Sequence, residues 1–580
     1  MAIDDLLGTG LVQDPGAVPL VVAVAGHRDP RPQDLPMLRQ RFCELIRELF
    51  DTLPHTPLLL LNGLAEGMDT EAAELFLELI AEHRQLHRHS PHHQLVAALP
   101  KPRQLYLEED FPAGSTELTR LESILARCDA VLDGENCPEL ALPHPIDGQA
   151  RDPWDPRCYG RQGIFLVRHG YLLVAFSNGL DSGKVGGTSQ TVAMQRGEVY
   201  PLFLQVDEVI AAREPGVVVE ITTPRRSDKE PTCPVGYVRY WAENLDGSRI
   251  DCRALAELEQ RQLAPLVKPH GCIPARIEAI NRELGAFPPA PVYDTGMQAS
   301  LWRYADAIAN GSKASYMRLC RVVMLASVLI GLGTSQQEWQ AIGLLVVLAA
   351  VLVFPKLQQG PKLGFIQWRC LAESLLVTDF WGAVGVQGDT ADLFHSHTSQ
   401  NFAWIRTVLR GRRLQLLALQ SSPDNRAPLP EVMEHCRRWI NGQEQWLGKA
   451  ITRQQRWDQR YVLLGALSFL LALVLAVAYW LVGADVIPQL LPEALIGIAV
   501  ASFGYRELMG YSDTNARYGR SRAQFARARE ALALARPDPN NPGMLAVRQR
   551  LVLEAVGREK IDELNDWVGD QLQRVYTPAG

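Results

Sequence analysis

Glycines accompanied by basic, acidic and hydroxyl residues recur just after apolar runs, a combination suited to holding a phosphate-bearing ligand. Gly26-His27-Arg28 follows the run 20–25. Asn62-Gly63-Leu64-Ala65-Glu66-Gly67-Met68-Asp69 follows 57–61. Asn178-Gly179 follows 170–176, and Lys184-Val185-Gly186-Gly187-Thr188-Ser189 opens a helical stretch ending near Arg196. A glycine lets the backbone approach an anion closely, and a following helix aims free N–H groups and its positive dipole end at it. Gly186, Gly187, Thr188 and Ser189 therefore read as an anion cradle with a hydroxyl at the helix cap. Arg28 is placed to neutralise a phosphate or to form a surface ion pair, and Lys184 adds a second cation. Asp69 either caps the helix after Gly67 or holds a ribose hydroxyl. His27 suits a structural role as well as a ligand contact. Gly26, Gly63, Glu66 and Asn178 complete the candidate set. Asp69 and Glu66 are also of the type that general acid–base chemistry uses.

These turns need a scaffold that brings them to one edge. Residues 20–25, 57–61, 94–99, 130–133 and 170–176 are short apolar runs of the kind buried on both faces of a parallel sheet. Helical spacing fills 35–53, 70–83 and 184–196. The alternation predicts an α/β Rossmann-like, doubly wound parallel sheet across residues 1–285, with ligands bound at the carboxyl ends of its strands. Residues 217–221 and 236–241 are further strand-like runs, and Phe287-Pro288-Pro289-Ala290-Pro291 is an extended linker.

The stretch 62–70, Asn-Gly-Leu-Ala-Glu-Gly-Met-Asp-Thr, resembles the S-G-L-A-x-G-I-D motif of the DNA-processing proteins of natural transformation. Gly26 and Gly186-Gly187-Thr188 resemble turns of the "lonely guy" phosphoribohydrolases. Both groups belong to the SLOG superfamily, and the resemblance covers roughly residues 18–210. It implies a domain that binds a nucleotide or nucleotide-derived ligand, of the ADP-ribose or cyclic-nucleotide kind, with no other cofactor and no metal. The superfamily's enzymes carry a Glu after the Gly-Gly-x-Gly-Thr stretch. Here 183–194 reads GKVGGTSQTVAM and has no Glu there, which favours binding without hydrolysis. The alternative is a membrane-anchored nucleotide or nucleoside N-glycosidase using Asp69 and Glu66.

The second half of the chain is organised around lipid. Residues 461–482 contain no charge and extend about 33 Å as a helix, enough to cross a hydrocarbon core of about 30 Å. With the apolar runs 322–333, 339–355 and 494–505 they predict an all-α membrane domain of four transmembrane helices in two hairpins, 316–358 and 460–508. Residues 286–315 are read as linker and amphipathic helix, 359–459 as a cytoplasmic helical segment, and 509–580 as C-terminal cytoplasmic helices. Lys313, Arg318, Arg321, Lys356, Lys362, Arg369, Arg453, Arg456, Arg460 and Arg506 flank the runs on one side, whereas the outer turns carry only Glu338, Asp485 and Glu493. This positive-inside pattern predicts a multi-pass protein of the inner membrane with both termini cytoplasmic. Arg369-Cys370-Leu371-Ala372-Glu373-Ser374, Ala305-Asp306-Ala307-Ile308-Ala309 and residues 557–567 resemble features of SLATT domains, predicted two-helix membrane effectors associated with SLOG sensors in bacterial antiphage systems. Arg369 and Glu373 also have the spacing of a simple helix-surface pair.

Composition narrows the partners. A formal charge of −7 over 580 residues argues against a dedicated nucleic-acid binder. The ten cysteines are scattered, without metal-type spacing, as in a reduced cytosolic interior. The N-terminus is acidic and lacks a signal-peptide pattern. The expected partners are the bilayer, a nucleotide second messenger and further copies of the chain, since four thin helices cannot enclose a wide pore alone.

Overall fold

The structure is a computed structural model describing residues 16–142, 156–181, 183–204, 208, 216–228, 233–243, 249–250, 273–287, 301–334, 340–386, 388–394, 399–421, 429–482, 490–535, 541 and 543–576. For 326–334 and 340–359 it describes the backbone alone. The chain divides into two compact units, Asp4–Tyr304 with Ser374–Val432, and Ala305–Glu373 with Met433–Gly580.

The first unit is built on a sheet of strands β1 (Leu20–Gly26), β2 (Leu58–Asn62), β3 (Gln94–Ala98), β4 (Ala130–Leu132), β5 (Leu172–Ser177), β6 (Val217–Thr222), β7 (Val238–Glu243) and β8 (Arg249–Ile250), in spatial order β4-β3-β2-β1-β5-β6-β7-β8. The strands from β1 to β6 run parallel, and β7 and β8 add an antiparallel edge. Every residue of β2, β5 and β6 is buried, as a strand covered on both faces requires. Helix α1 (Leu35–Thr52) covers one face, its Phe42 ring 6.0 Å from that of Phe176. Helices α2 (Met68–Leu86), α3 (Arg103–Asp110), α4 (Thr116–Leu125), α5 (Arg157–His169), α6 (Thr188–Gln195) and α7 (Ile273–Ala286) follow in chain order. The Rossmann-like sheet expected from the sequence is present. The chain steps outward from β1 to β4 and then returns to β5 beside β1, so the switch point for ligands lies between β1 and β5.

The helical remainder is divided differently from the sequence expectation. The segment 359–459 does not stand as one piece, because 374–432 belongs to the sheet unit. Helix α10 (Ser399–Ser421) lays Leu414, Leu417 and Ala418 into the core formed by Val21, Ala23, Leu59, Leu61 and Val96. It is fixed there by buried ion pairs: Arg413 Nε to Glu139 Oε1 at 2.8 Å, and Arg412 Nε to Asp379 Oδ1 at 2.9 Å. Arg168 of α5 pairs with Asp392, and Arg410 Nη2 reaches the same carboxylate at 3.4 Å.

The second unit contains α8 (Leu301–Thr334) from Ala305, α9 (Gln340–Val384) to Glu373, α11 (Leu429–Val482) from Met433, then α12 (Leu490–Met509), α13 (Tyr511–Leu534) and α14 (Met544–Tyr576). Segments 305–309, 369–374 and 557–567 converge in it. Arg369 pairs with Glu373 and with Asp306 at 2.8 Å, Lys560 lies 3.6 Å from Glu373, and Phe365 meets Trp567 edge to face. The helix-surface pair expected of Arg369 and Glu373 is thus one part of a wider network.

Among the described residues, one helix is long and apolar enough to cross a membrane, Val432–Val482 within α11. Its apolar side chains are not packed away: Leu463, Leu470, Val474 and Leu481 are exposed, and Trp480 is 82 % exposed. The expectation of four such helices is met by this one. Helix α12 carries Glu493, Arg506 and Glu507 within its 20 residues, too many charges for a span of that length. The side chains of 326–334 and 340–359, which hold most of the first expected hairpin, lie outside the described residues. Helix α12 does pack on α11. A Cβ at Gly465 would come within 2.9 Å of the Phe503 ring, the Tyr461 and Tyr505 rings are 5.0 Å apart, and Arg506 Nε is 2.6 Å from Asp458 Oδ1.

Candidate functional site

The turns after β1 and β2 are pressed together at the carboxyl edge of the sheet. Met68 N donates to His27 O at 3.1 Å. A Cβ on Gly26 would stand 2.5 Å from Met68 Cβ and 3.1 Å from Asp69 Oδ1. Gly67, which caps α2, has φ +92°, and a Cβ there would meet the carbonyl oxygens of His27 and Arg28 at 2.5 Å. Both glycines are therefore demanded by main-chain packing. Gly63 likewise lies against Gln162 of α5, whose amide donates to Ala98 O at 2.6 Å. Leu64, fully buried, takes φ +50°, held by its N–H donating to Asn62 Oδ1 at 2.7 Å. Strain of this kind, over-determined by its surroundings, accompanies functional turns.

The close packing leaves polar groups unsatisfied. Asp69 is 6 % exposed and its Oδ1 has no hydrogen-bond partner. Burial pushes its carboxyl up to about 7, against the pull of Arg28 and of the Ala65 and Gly26 N–H groups. Arg28 is exposed, with its guanidinium 5.8 Å from the centre of the Tyr159 ring and no carboxylate within ion-pair distance among the described residues. Glu66 is exposed.

Tyr159, on the first turn of α5, joins the two halves of the candidate set. Its hydroxyl donates to Asp110 Oδ2 at 2.7 Å, and Lys101 Nζ lies 5.5 Å from its ring centre. Burial, then the bond to Asp110, pushes the phenol up to about 12. The turn at Gly186 rests on the same residue: with φ +70°, a Cβ there would stand 2.5 Å from the Tyr159 carbonyl carbon. Tyr159, which sequence reasoning missed, thus carries the Arg28 guanidinium over its ring and the Gly186 turn against its backbone. Gly160 and Gly163 lower the helical propensity of α5 and hid its first turn.

The remaining residues divide. His27 and Asn178 sit at the β1–β5 switch point but are engaged with each other. Arg225 Nη2 lies 3.0 Å from His27 Nδ1, and the Asn178 backbone N–H donates to His27 Nε2 at 2.9 Å. Burial, then the Arg225 charge, lowers the imidazole to about 4. Asn178 Nδ2 continues to Asp228 Oδ2 at 3.0 Å. These two residues lock the β1 and β5 turns together. At the α6 cradle, Gly186 N donates to Gln190 Oε1 at 2.6 Å, Gly187 N to Lys184 O at 3.2 Å, and Ser189 Oγ to Asp181 Oδ1 at 3.2 Å. Thr188 is buried and Lys184 is exposed. The cradle amides expected to meet a phosphate are thus partly capped by the chain itself.

Comparison of this chain with protein-family models gives no match, and comparison with curated proteins gives none either. Among the described residues no group of His, Cys, Asp and Glu is arranged to hold a metal ion.

Proposed function

We propose that the sheet unit binds a nucleotide-derived ligand and that the chain is a ligand-gated membrane effector. The observation that carries this is the pair at the sheet's carboxyl edge: an exposed guanidinium without a carboxylate, and a buried carboxyl with an orphan oxygen, on either side of the strained 62–67 turn. Arg28 takes the phosphate, Asp69 a ribose hydroxyl, and the Tyr159 ring is a surface for the base. The resemblance to SLOG sensors and SLATT effectors points the same way. It implies a role in bacterial antiphage defence, with a messenger made on infection, oligomeric multi-pass hairpins and permeabilisation of the inner membrane. A messenger can drive such a change only by binding the open state more tightly.

The test uses the full chain in detergent, titrated with ADP-ribose, NAD, ADP and cyclic nucleotides, followed by dye release from vesicles. Arg28→Gln is expected to weaken binding about ten- to hundredfold, the worth of a charge-assisted hydrogen bond. Absence of binding by every phosphate-bearing nucleotide rules the proposal out. One observation favours a second reading as N-glycosidase: a carboxyl near neutrality is suited to general acid–base work. Chromatography of NAD, AMP and ADP-ribose after incubation decides between them, since base release replaces binding alone with turnover.

A further inference from the structure

The helical unit contains a groove of about 1130 Å³ between α11 and α13, remote in sequence from every residue of the sheet site. Its walls carry Lys449, Arg453, Arg456 and Arg460 from α11 and Arg522 and Arg529 from α13. The spacing of four, three and four residues puts the α11 cations on one helix face. The one acid in the lining, Glu444, is already paired with Arg529 at 2.7 Å. The other five cations are exposed, and among the described residues none has a carboxylate within ion-pair distance. In a chain of formal charge −7, such a concentration of unpaired positive charge needs an anion from outside.

Its position along α11 says which anion. The cationic face leads directly into the apolar stretch that begins at Tyr461, and at about 1.5 Å per residue the four groups lie about 2, 8, 12 and 18 Å before it. A headgroup layer is about 5–8 Å deep on each side of the hydrocarbon core. Arg460 and Arg456 fall within that layer, and Arg453 and Lys449 lie within about a Debye length of it. Aromatic rings mark the same level: Trp457 stacks on Tyr461 at 6.2 Å and carries Arg460 at 4.9 Å, and Tyr461 stacks on Tyr511 at 6.2 Å. Aromatic residues of this kind gather where hydrocarbon meets headgroups.

We propose that this groove binds the phosphate headgroups of anionic phospholipids in the leaflet that α11 enters. The proposal rests on α11 crossing the bilayer and is independent of the nucleotide site. The groove clamps α11 to α13 through a shared lipid, so the lipid stabilises the folded unit.

The test is the unfolding midpoint of the full chain in neutral detergent, titrated with short-chain phosphatidylglycerol, phosphatidylcholine of the same chain length, and inorganic phosphate. Phosphatidylglycerol is expected to raise the midpoint by about 2–4 °C, and the other two to leave it unchanged. The triple variant Lys449→Gln, Arg453→Gln, Arg456→Gln, and separately Arg522→Gln on the opposite wall, should keep the unliganded midpoint and lose the rise. An equal rise with phosphatidylcholine or inorganic phosphate, or a rise that survives both variants, overturns the assignment. Chain that stays in membranes but shows no phosphatidylglycerol effect sinks the headgroup site alone. Recovery from cells without detergent sinks the membrane reading as well.

Discussion

Asp69 makes a claim about pH that its neighbours do not. An aspartate in the unfolded chain titrates near 4, whereas burial holds this one at about 7. Between those values the folded state keeps a proton that the unfolded state has released, so stability falls as pH rises from about 4 to about 7 and is flat above. The full difference is at most about 4 kcal/mol. Asp69→Asn removes the titration, so the variant should match the parent near pH 4 and exceed it above pH 7, read as thermal midpoints in detergent. Parallel profiles for the two proteins would mean that the carboxyl ionises without penalty. Gly67→Ala tests the packing beneath it. A methyl 2.5 Å from two carbonyl oxygens at φ +92° should cost at least about 2 kcal/mol in the same assay. The sequence made both residues visible through the glycine-rich 62–69 stretch. It did not distinguish a glycine that faces a ligand from one that faces its own backbone, because that depends on which turn it meets, here His27-Arg28 some forty residues away.

Elements were legible in proportion to how local their causes are. Unbroken apolar runs gave β1 to β6 nearly to the residue, because a strand buried on both faces must be apolar throughout. Helix α10 was not assigned to the sheet for the opposite reason. Arg406, Arg410, Arg412 and Arg413 carry no apolar signal, yet all are buried, and partners such as Glu139 and Asp379 come from distant parts of the chain. Burial pushes the Glu139 carboxyl up, but Arg413, followed by His169, outweighs it and holds the group well below the usual carboxylate range. Removing one partner of such a pair strands a charge in the core. Arg413→Met should therefore lower stability by about 3–5 kcal/mol, measured by thermal unfolding. By the same logic a fragment ending at Tyr304 lacks the cover supplied by Leu414, Leu417 and Ala418 and should aggregate when expressed alone, and a soluble, cooperatively unfolding fragment would count against α10 as part of that core.

At the scale of the whole molecule, the apolar stretch of α11 is the feature that water cannot accommodate. Burying one large aliphatic side chain is worth about 1.5–3 kcal/mol, and here a whole row of them is exposed. A bilayer would satisfy them, and the cations before Tyr461 would then set the direction of entry. Helix α12 decides whether the chain returns. Its 20 residues reach about 30 Å, but Glu493, Arg506 and Glu507 lie within them. Its contacts with α11 through Gly465, Tyr505 and Arg506 pack the two helices side by side, and labelling on either side of α12 tests whether it crosses as well. Asp485→Cys, between the two helices, should react with a membrane-impermeant maleimide in intact cells. Ala523→Cys, on the exposed face of α13, should react only after permeabilisation, with the native cysteines of the parent as background. Labelling of both from outside would show that α12 does not re-enter. Labelling of neither would place α11 flat on the inner surface, and Leu470→Lys separates these cases. A lysine at mid-span opposes insertion by about 2.5–3.5 kcal/mol, releasing a transmembrane helix but sparing one that lies in the interface with that residue turned to water.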